Sequence, residues 1–254
     1  MRQVSFGNIA RLAFVPLVLA VVVLVYLRHV DPSAPDDMPL AARVVEHDTA
    51  KTRAAFDGLY ARGLWGKTAE GRGTSGTGST LSATLLYRTF LQQFLTDKRI
   101  TSVVDAGCGD WEFSQTINWT GIEYRGFDIV PAVIERNIER FTAPNIQFFE
   151  ADIVKTDLPR ADLLISKHVL QHLPDVSVHE FLEQIDKYPH VLLINGVHRT
   201  TLSANNADIG PGGYRYLDIT KAPFNVKGDK VLTYRDDAGS MHQVVYIFHP
   251  KPRR

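Results

Sequence analysis

Apolar runs alternate with helical patterns along most of the chain. Five short apolar runs, each bounded by turn residues, predict buried parallel strands: TSVVDAG, EYRGFDI, IQFFEAD, ADLLISK and HVLLING. Strands that alternate with helices in this way are typical of a doubly wound α/β sheet. A final segment, KVLTYRDDAGSMHQVVYIFHP, has two β-rich runs around DDAGS and predicts a hairpin. We therefore predict a mostly parallel, seven-stranded α/β sheet that ends in an antiparallel hairpin.

The segments between and before these strands have the apolar spacing of helices. Residues 41–63 have helix formers at this spacing, and residues 81–98 form a stronger pattern. The predicted apolar face of the second segment consists of Leu81, Leu85, Leu86, Phe90, Leu91, Phe94 and Leu95. Pro131 favours a helix that begins there. Ser177 and Glu180 form a capping-box pattern, which predicts the start of another helix.

The first thirty residues differ from the rest of the chain. Residues 12–27, LAFVPLVLAVVVLVYL, are uncharged, with Arg2 and Arg11 before them and Arg28 after them. A helix of this length spans roughly 24 Å, a little less than the ~30 Å hydrocarbon core of a bilayer. No small-x-small cleavage site follows. We predict an uncleaved membrane anchor over residues 1–30, ahead of a cleaved signal peptide or a buried helix.

A linker and one sizeable domain are predicted to follow the anchor. Residues 31–40 include DPSAPDDMP, whose proline and acidic residues are typical of a flexible linker. The remaining residues, 41–254, are enough for one sizeable domain.

Composition and charge exclude several kinds of partner and site. The chain has 28 basic and 28 acidic residues, so we expect no nucleic-acid partner. Its single cysteine, Cys108, excludes an internal disulfide and a multi-cysteine zinc site. His168 and His172 have the spacing of a zinc-protease helix, but Val169 replaces the glutamate that this chemistry needs. No metal site is therefore predicted.

A glycine-rich loop, GRGTSGTGST at residues 71–80, matches a dinucleotide fingerprint and, apart from its missing lysine, a P-loop. Phosphate-binding loops of this kind follow a buried strand, whereas LWGKTAE precedes this one. Both interpretations therefore fail. We predict instead that a helix begins near Ser79 or Ser82 and that the loop folds over the binding pocket. Gly76, Gly78 and Ser79 would then contact substrate, and a plain linker is the alternative.

A second glycine turn follows a predicted strand directly. The segment ITSVVDAGCGDW places Asp105, Gly107 and Gly109 at the strand end, where glycine lets the backbone approach a ligand. Asp128 ends the next strand, where a carboxylate can accept both hydroxyls of a ribose. Asp152 ends the third strand, near the place of an adenine. Ligands in open α/β sheets bind at these strand ends, so the three acids predict a cofactor site.

These motifs resemble those of the class I methyltransferases, which use S-adenosyl-L-methionine. The first strand of that family ends in a motif like DxGCGxG, to which VVDAGCGDW is similar, and SKHVLQHL resembles its fourth-strand segment. The resemblance implies a cofactor site formed by Asp105, Gly107, Cys108, Gly109, Asp128, Ile129, Asp152, Ile153 and Lys167. Cys108 would be a small buried residue without a redox role. Asp110 and Trp111 depart from the family pattern, and we expect a helix to begin near Trp111.

The candidate catalytic and substrate residues follow the fourth and fifth predicted strands. His168 would lie near the reactive methyl as a general base or orienting group, and His198 is the second candidate. Residues 202–224 form a polar, glycine-rich loop after the fifth strand. Its candidate contacts to the acceptor are Asp208, Tyr214 and Arg215.

We therefore predict an S-adenosyl-L-methionine-dependent methyltransferase that acts on a polar acceptor. The acceptor would be a small molecule or a glycan, sugar-like or carboxylated, because the loop that covers the pocket is polar. A catalytically silent binding module of the same fold is one alternative. A dinucleotide-dependent oxidoreductase is the other, and it is disfavoured by D-x-G-x-G in place of G-x-G-x-x-G and by the terminal hairpin.

The anchor predicts a single-pass membrane protein, but two arguments about its orientation conflict. Arg2 and Arg11 outweigh Arg28 and the acidic linker, so the positive-inside rule sends the domain out of the cytosol. S-adenosyl-L-methionine is made in the cytosol, and its supply favours the cytosolic face. The side of the membrane therefore stays open.

Overall fold

The computed structural model describes residues 46–69, 71–250 and 252. The predicted anchor at residues 1–30 and linker at residues 31–40 lie outside these residues, and the proposed domain boundaries stay predictions. In the part of the chain that the structure describes, no helix has the length and apolar character needed to cross a membrane.

A single sheet organises the described residues. Its strands are β1 (Ser102–Ala106), β2 (Glu123–Asp128), β3 (Ile146–Glu150), β4 (Leu163–Lys167), β5 (His190–Val197), β6 (Asp229–Arg235) and β7 (Met241–Phe248). The seven strands lie in the order β3-β2-β1-β4-β5-β7-β6. Strands β1 to β5 are parallel, and β7 is antiparallel to both of its neighbours. The predicted sheet, with its terminal antiparallel hairpin, is confirmed.

The sheet is buried on both faces, as expected for parallel strands covered by helices. Side chains alternate between the two faces of a strand. Accordingly, Val104 and Leu193 belong to one cluster of buried apolar residues. Their chain neighbours Val103 and Leu192 belong to a second cluster. The uninterrupted apolar runs of the sequence therefore supply two cores, one on each side of the sheet.

Four α-helices accompany the sheet in the described residues: α1 (Thr49–Arg62), α2 (Leu85–Asp97), α3 (Pro131–Phe141) and α4 (Asp175–Leu182). Helix α3 begins at Pro131, as its sequence predicts. The helices α1 and α4 pack through Phe56 and Phe181 on the face that includes Val104. Helix α2 packs through Leu91 on the opposite face.

The predicted capping box at Ser177 and Glu180 is wrong. Helix α4 begins at Asp175, so Ser177 is already inside the helix and is buried. The hydroxyl of Ser177 pairs with His47 Nδ1 at 2.7 Å. Glu180 Oε1 accepts a hydrogen bond from the backbone N–H of His47 at 3.0 Å. Both side chains are therefore used in a tertiary contact that the local pattern does not reveal.

Helix α2 begins later than predicted. Residues 77–79 form a short 3-10 turn, and the α-helix starts at Leu85 rather than near Ser79 or Ser82. Its buried face also differs from the prediction, because Leu85 and Leu86 are exposed. The side chains of the helix that are buried are Tyr87, Leu91, Phe94 and Leu95.

The helix expected near Trp111 is absent from the described residues, where only a 3-10 turn at Ser114–Thr116 follows. Trp111 has a φ of +56°, which is incompatible with a helix start. Its indole is buried against Tyr124, Phe141 and Phe148, with ring centroids 5.0–5.4 Å apart. Trp111, which departs from the family motif, thus fills the core and does not begin a helix.

Candidate active site

A cavity of about 510 Å³ opens where the parallel strands end. It is lined by Asp105 at the end of β1, Asp128 at the end of β2, and Asp152 just after β3. The same cavity extends past Lys167 and His168, at the end of β4, to His242 on β7. The structure therefore brings together the three acids that the sequence placed at strand ends.

Two glycines shape the turn that follows β1, here called the β1 turn (residues 107–110). Gly107 and Gly109 have φ values of +86° and +56°. A Cβ atom on Gly107 would lie 2.2 Å from Val169 Cγ2. A Cβ atom on Gly109 would lie 2.4 Å from Ser75 Oγ. Both positions therefore need glycine for conformation and for space.

The carboxylate of Asp128 is fixed beside the β1 turn. It accepts hydrogen bonds from the backbone N–H groups of Gly109 and Val130, each at 3.0 Å. Burial raises the pKa of Asp128 to about 6, although these two N–H groups act in the opposite direction. A carboxylate has about four acceptor positions, so Asp128 can also accept from a ligand in the cavity. Ile129, the next residue, lines the cavity as well.

Asp105 and Cys108 are buried at the same end of the cavity. The hydroxyl of Tyr124 donates to Asp105 Oδ2 at 2.7 Å. Burial raises the pKa of Asp105 to about 6, and the charge of Lys167 opposes this shift. Burial likewise raises the pKa of the Cys108 thiol well above its usual value. A thiol with a raised pKa is a poor nucleophile, consistent with a cysteine that has no redox role.

Asp152 is held by a segment that the sequence did not associate with it. Its Oδ2 contacts His47 Nε2 at 2.7 Å, and it also accepts a hydrogen bond from the hydroxyl of Thr49. Burial alone would raise the pKa of Asp152, but these hydrogen bonds lower it below its usual value. Ile153 lines the cavity beside it. His47 is a missed residue, and no spacing in the sequence links it to Asp152.

The glycine-rich loop is hydrogen-bonded to the β1 turn. The N–H of Ser75 donates to Asp110 Oδ2 at 2.9 Å, and the N–H of Asp110 donates to Ser75 Oγ at 2.8 Å. The loop residues Gly76, Gly78 and Ser79 line the cavity. Because the following α-helix begins six residues after Ser79, the loop does not present helix-start amides to the cavity.

Lys167 and His168 form the polar end of β4. The Lys167 ammonium donates to the carbonyl oxygen of Gly78 at 2.8 Å and lies 3.2 Å from His168 Nδ1. Burial lowers the pKa of Lys167 to about 7. Burial, followed by the charge of Lys167, lowers the pKa of His168 well below its usual value. His168 is therefore neutral near pH 7 and can take part in proton transfer.

Two cavity residues on the terminal hairpin were not predicted. His242 Nε2 lies 2.9 Å from Asp236 Oδ2, and the rings of His168 and His242 are 4.6 Å apart. In the sheet His242 is paired with Gly196 of β5, one strand away from the end of β4. The sheet topology could have predicted this residue. When the last strand is antiparallel and lies beside β5, the turn between β6 and β7 lies at the same edge of the sheet as the cavity.

Several predicted residues lie elsewhere. His198 is exposed, and its side chain is outside the cavity. Asp208 is also exposed and accepts a hydrogen bond from the backbone N–H of Asp175 at 2.7 Å. Arg215 is buried, pairs with Asp175 and donates to the carbonyl oxygen of Leu173 at 2.9 Å.

Asp208 and Arg215 therefore attach the polar loop to the start of α4 instead of facing an acceptor. Of the three predicted loop residues, Tyr214 alone lines the cavity. His172 Nδ1 lies 2.7 Å from the carbonyl oxygen of Gly213, so this ring too is engaged with the loop. Within residues 46–69, 71–250 and 252, no group of His, Cys, Asp and Glu side chains is arranged to hold a metal ion.

The sequence profile of the O-methyltransferase domain matches residues 41–206, which is most of the chain. The chain belongs to the O-methyltransferase domain family. Among curated proteins, no sequence matches it.

Three solved structures that are similar to this fold are methyltransferases. One is the 1,6-didemethyltoxoflavin-N1-methyltransferase of Burkholderia thailandensis, with 1,6-didemethyltoxoflavin and S-adenosylhomocysteine bound. It is 17% identical to this chain, and the match covers 84% of this chain and 91% of that chain with a TM-score of 0.57. Another is the magnesium protoporphyrin IX methyltransferase of Synechocystis PCC 6803, with S-adenosylhomocysteine bound. It is 14% identical, and the match covers 79% of this chain and 98% of that chain with a TM-score of 0.53. The third is the N-methyltransferase NodS of Bradyrhizobium japonicum, with the same ligand bound. It is 15% identical, and the match covers 68% of this chain and 90% of that chain with a TM-score of 0.53.

The predicted relationship to the class I methyltransferases, with their Rossmann-like fold, is confirmed. The predicted cofactor, S-adenosyl-L-methionine, agrees with the family and with the S-adenosylhomocysteine in these structures. Two of these proteins are named for chemically different acceptors, magnesium protoporphyrin IX and 1,6-didemethyltoxoflavin, so the fold alone does not identify the acceptor of this chain.

Proposed function

We propose that this protein transfers a methyl group from S-adenosyl-L-methionine to a hydroxyl oxygen of a polar small molecule or glycan. The observation that supports this most is one cavity with two chemically different ends. At one end, buried acids and the β1 turn suit a nucleoside cofactor. At the other, two neighbouring histidines suit proton removal from an acceptor.

The residues of the first end fit the cofactor. The backbone of the β1 turn and Asp105 would hold the amino-acid part, and Asp128 would accept the ribose hydroxyls. Asp152 and Ile153 would border the adenine. S-adenosyl-L-methionine supplies a methyl group activated by a positively charged sulfur. The nearby carboxylates complement that charge, and Gly107 leaves space that a Cβ atom would fill.

The remaining work of the chain is to orient the acceptor, to exclude water and to accept a proton. The glycine-rich loop covers the cavity next to Lys167 and is suited to exclude water. An oxygen acceptor must lose its proton, and a neutral buried histidine can receive it. Burial lowers the pKa of both His168 and His242, which favours their neutral forms near pH 7.

The lining of the acceptor end supports a polar, sugar-like or carboxylated acceptor. Gln171, Tyr214 and Ser240 offer hydrogen-bonding groups to the cavity. Trp65 adds an aromatic wall close to His172, with ring centroids 5.0 Å apart. Aromatic faces beside hydrogen-bonding groups suit a ring that carries hydroxyl or carboxylate groups.

Calorimetry and a transfer assay test this proposal. The full-length protein should bind S-adenosylhomocysteine and not NAD. It should also transfer labelled methyl groups from S-adenosyl-L-methionine to members of a panel of catechols, methyl glycosides and uronic acids. Tight binding of NAD without binding of S-adenosylhomocysteine would overturn the proposal in favour of an oxidoreductase. Binding without transfer to any acceptor, including those in a polar cell extract, would favour the silent binding module.

We also propose that residues 1–30 anchor the protein in a membrane as a single span. The support is the uncharged run at residues 12–27, with arginines on both sides. Cofactor supply favours the cytosolic face for the catalytic domain, although the flanking charges favour the opposite face.

A further inference from the structure

We infer that His242, oriented by Asp236, takes the proton from the acceptor hydroxyl, and that His168 donates a hydrogen bond to the same group. The inference rests on the proposed function, and it names the base for that reaction. It follows from the hydrogen-bond partners of the two rings. One ring is left with an unpaired lone pair, and the other with an unpaired N–H donor.

The position of the proton on His242 follows from its partner. Nε2 lies 2.9 Å from Asp236 Oδ2, and a carboxylate only accepts hydrogen bonds, so Nε2 carries the hydrogen. In the neutral ring, Nδ1 then has a lone pair. This Nδ1 atom is buried and has no hydrogen-bond partner among the described residues. His242 also lines the cavity that would receive the acceptor.

Asp236 is itself fixed by the turn between β6 and β7. Its Oδ1 accepts a hydrogen bond from the backbone N–H of Ser240 at 2.7 Å. The backbone N–H of Asp236 in turn donates to the carbonyl oxygen of Ser240 at 2.9 Å. The side chain of Asp236 is only 2% exposed. One carboxylate oxygen is therefore used by the turn, and the other orients His242.

His168 has the opposite arrangement. The Lys167 ammonium donates to the carbonyl oxygen of Gly78 and lies 3.2 Å from His168 Nδ1. An ammonium only donates hydrogen bonds, so Nδ1 is the acceptor in this contact. The neutral ring of His168 therefore carries its hydrogen on Nε2. This atom is buried, and the part of the chain that the structure describes offers it no partner. His168 thus has a free donor where His242 has a free lone pair.

The two rings meet because of the sheet order. The backbone N–H of His168 donates to the carbonyl oxygen of Ile194 on β5 at 2.8 Å. Strand β7 pairs with the other edge of β5 and places His242 opposite Gly196. The ring centroids of His168 and His242 are 4.6 Å apart at an interplanar angle of 35°. The two rings therefore lie side by side at the wall of one cavity.

The reaction balances with these groups. As the acceptor oxygen bonds to the methyl carbon, the carbon–sulfur bond breaks and its electron pair stays on sulfur, which becomes neutral. The hydroxyl proton moves to His242 Nδ1, and the Asp236 carboxylate stabilises the imidazolium. The charged or titratable groups that face His242 are Asp236, Lys167, His168 and Tyr234. Lys167 then favours loss of the proton to solvent.

The first test needs no acceptor. Full-length protein labelled with ¹⁵N-histidine and saturated with S-adenosylhomocysteine would be studied by two-bond ¹H–¹⁵N correlation spectra. The signals of His242 should be those of a neutral ring with hydrogen on Nε2. In Asp236→Asn the amide oxygen stays on the Ser240 N–H, so its NH₂ group faces Nε2 and the hydrogen should move to Nδ1.

Two results in these spectra would overturn the inference. One is a wild-type His242 that carries its hydrogen on Nδ1. The other is an unchanged hydrogen position in Asp236→Asn, since a merely structural role for Asp236 predicts no change in the ring. Assignment comes from the loss of one signal in His242→Gln. His249→Gln, at the other end of β7, is the matched control and should remove a different signal.

The second test is turnover with any hydroxyl acceptor found in the panel assay. His242→Gln and Asp236→Asn should lower kcat about 100-fold, while affinity for S-adenosylhomocysteine changes less than about twofold. Asp236→Glu should recover part of the loss, and His249→Gln should leave kcat unchanged. Full activity in His242→Gln together with a large loss in His168→Gln would overturn the inference and leave the methyltransferase proposal standing. Absence of cofactor binding in wild type would instead overturn the proposed function.

Discussion

Asp128 Oδ2, at the end of β2, accepts a hydrogen bond from the backbone N–H of Gly109 at 3.0 Å. One carboxylate thus orders the β1 turn and also faces the cavity that the turn borders. Both roles predict that loss of this carboxylate weakens cofactor binding.

Asp128→Ala should weaken binding of S-adenosylhomocysteine by about 2–3 kcal/mol, or roughly 30- to 150-fold in Kd. The loss comes from the charge-assisted contacts to two ribose hydroxyls and from a less ordered β1 turn. Isothermal titration calorimetry measures it. Asp157→Ala, which removes an exposed carboxylate paired with Lys187, is the control and should bind normally. An unchanged Kd for Asp128→Ala would contradict the ribose contact.

Cofactor affinity should depend on pH in the direction set by Asp128. Burial raises its pKa to about 6 in the free protein. The carboxylate is the form that accepts ribose hydroxyls, so affinity is complete well above this pKa and is lost as pH falls through it. We expect binding at pH 5 to be about tenfold weaker than at pH 7.5. Asp128→Asn should make this dependence shallower, and what remains should come from Asp105, whose pKa burial also raises to about 6. An equally steep profile in Asp128→Asn would show that Asp128 does not set the pH dependence.

His47 should stabilise the fold through its contacts with Asp152 and Ser177. His47→Ala leaves a buried carboxylate without its main partner and should lower the free energy of unfolding by about 2–4 kcal/mol. Urea denaturation measures this change. Ser177→Ala removes only a neutral hydrogen bond and should cost about 1 kcal/mol. Equal losses in the two variants would show that the pair with Asp152 adds nothing.

The same contact predicts an acid-sensitive part of the stability. The pKa of Asp152 is lowered in the folded protein. The contribution of ionised Asp152 to the free energy of unfolding is therefore complete above the ordinary aspartate pKa of about 4. It is lost as pH falls through the lower pKa of Asp152 in the folded protein. His47→Ala should be less sensitive than wild type over that acidic window.

The glycine-rich loop should close more tightly when cofactor is bound. Saturating S-adenosylhomocysteine should slow trypsin cleavage at Arg72, while cleavage at the exposed Lys227 stays constant. Asp110→Ala removes the hydrogen bond that its carboxylate accepts from Ser75 and should speed cleavage at Arg72 about tenfold, as expected for ~1.4 kcal/mol. Equal cleavage with and without the ligand would leave the loop as a static cover.

The predicted anchor should keep the full-length protein in the membrane pellet through a carbonate wash. Deletion of residues 1–30 should release the protein to the supernatant, because the uncharged run is removed. Release of the full-length chain by carbonate would mean that this run does not span a bilayer.

The cofactor half of the site was predictable because its signals are local. Asp105, Gly107 and Gly109 lie within one strand and its turn, and Asp128 ends the next strand along the chain. Parallel strands that end at one edge of a sheet bring such residues together whatever the details of packing. The hydrophobic pattern was sufficient to define that edge.

The missed residues depend on contacts between distant parts of the chain. His47 meets Asp152 and Ser177 across more than a hundred residues, and no spacing encodes that meeting. The capping-box error has the same origin, since this contact uses Ser177 and Glu180. His242 was missed because the terminal hairpin was used only to predict the fold. In the structure β7 lies beside β5, and this position makes His242 part of the cavity.

The position of β7 also has a consequence for synthesis of the chain. Strand β5 is almost wholly buried, and in the finished sheet its outer edge pairs with β7. While the ribosome is still adding residues 198–248, that apolar edge has no partner strand. Unpaired apolar edges are templates for aggregation. Nascent chains, and fragments cut before β7, should therefore depend on chaperones until the last strand inserts.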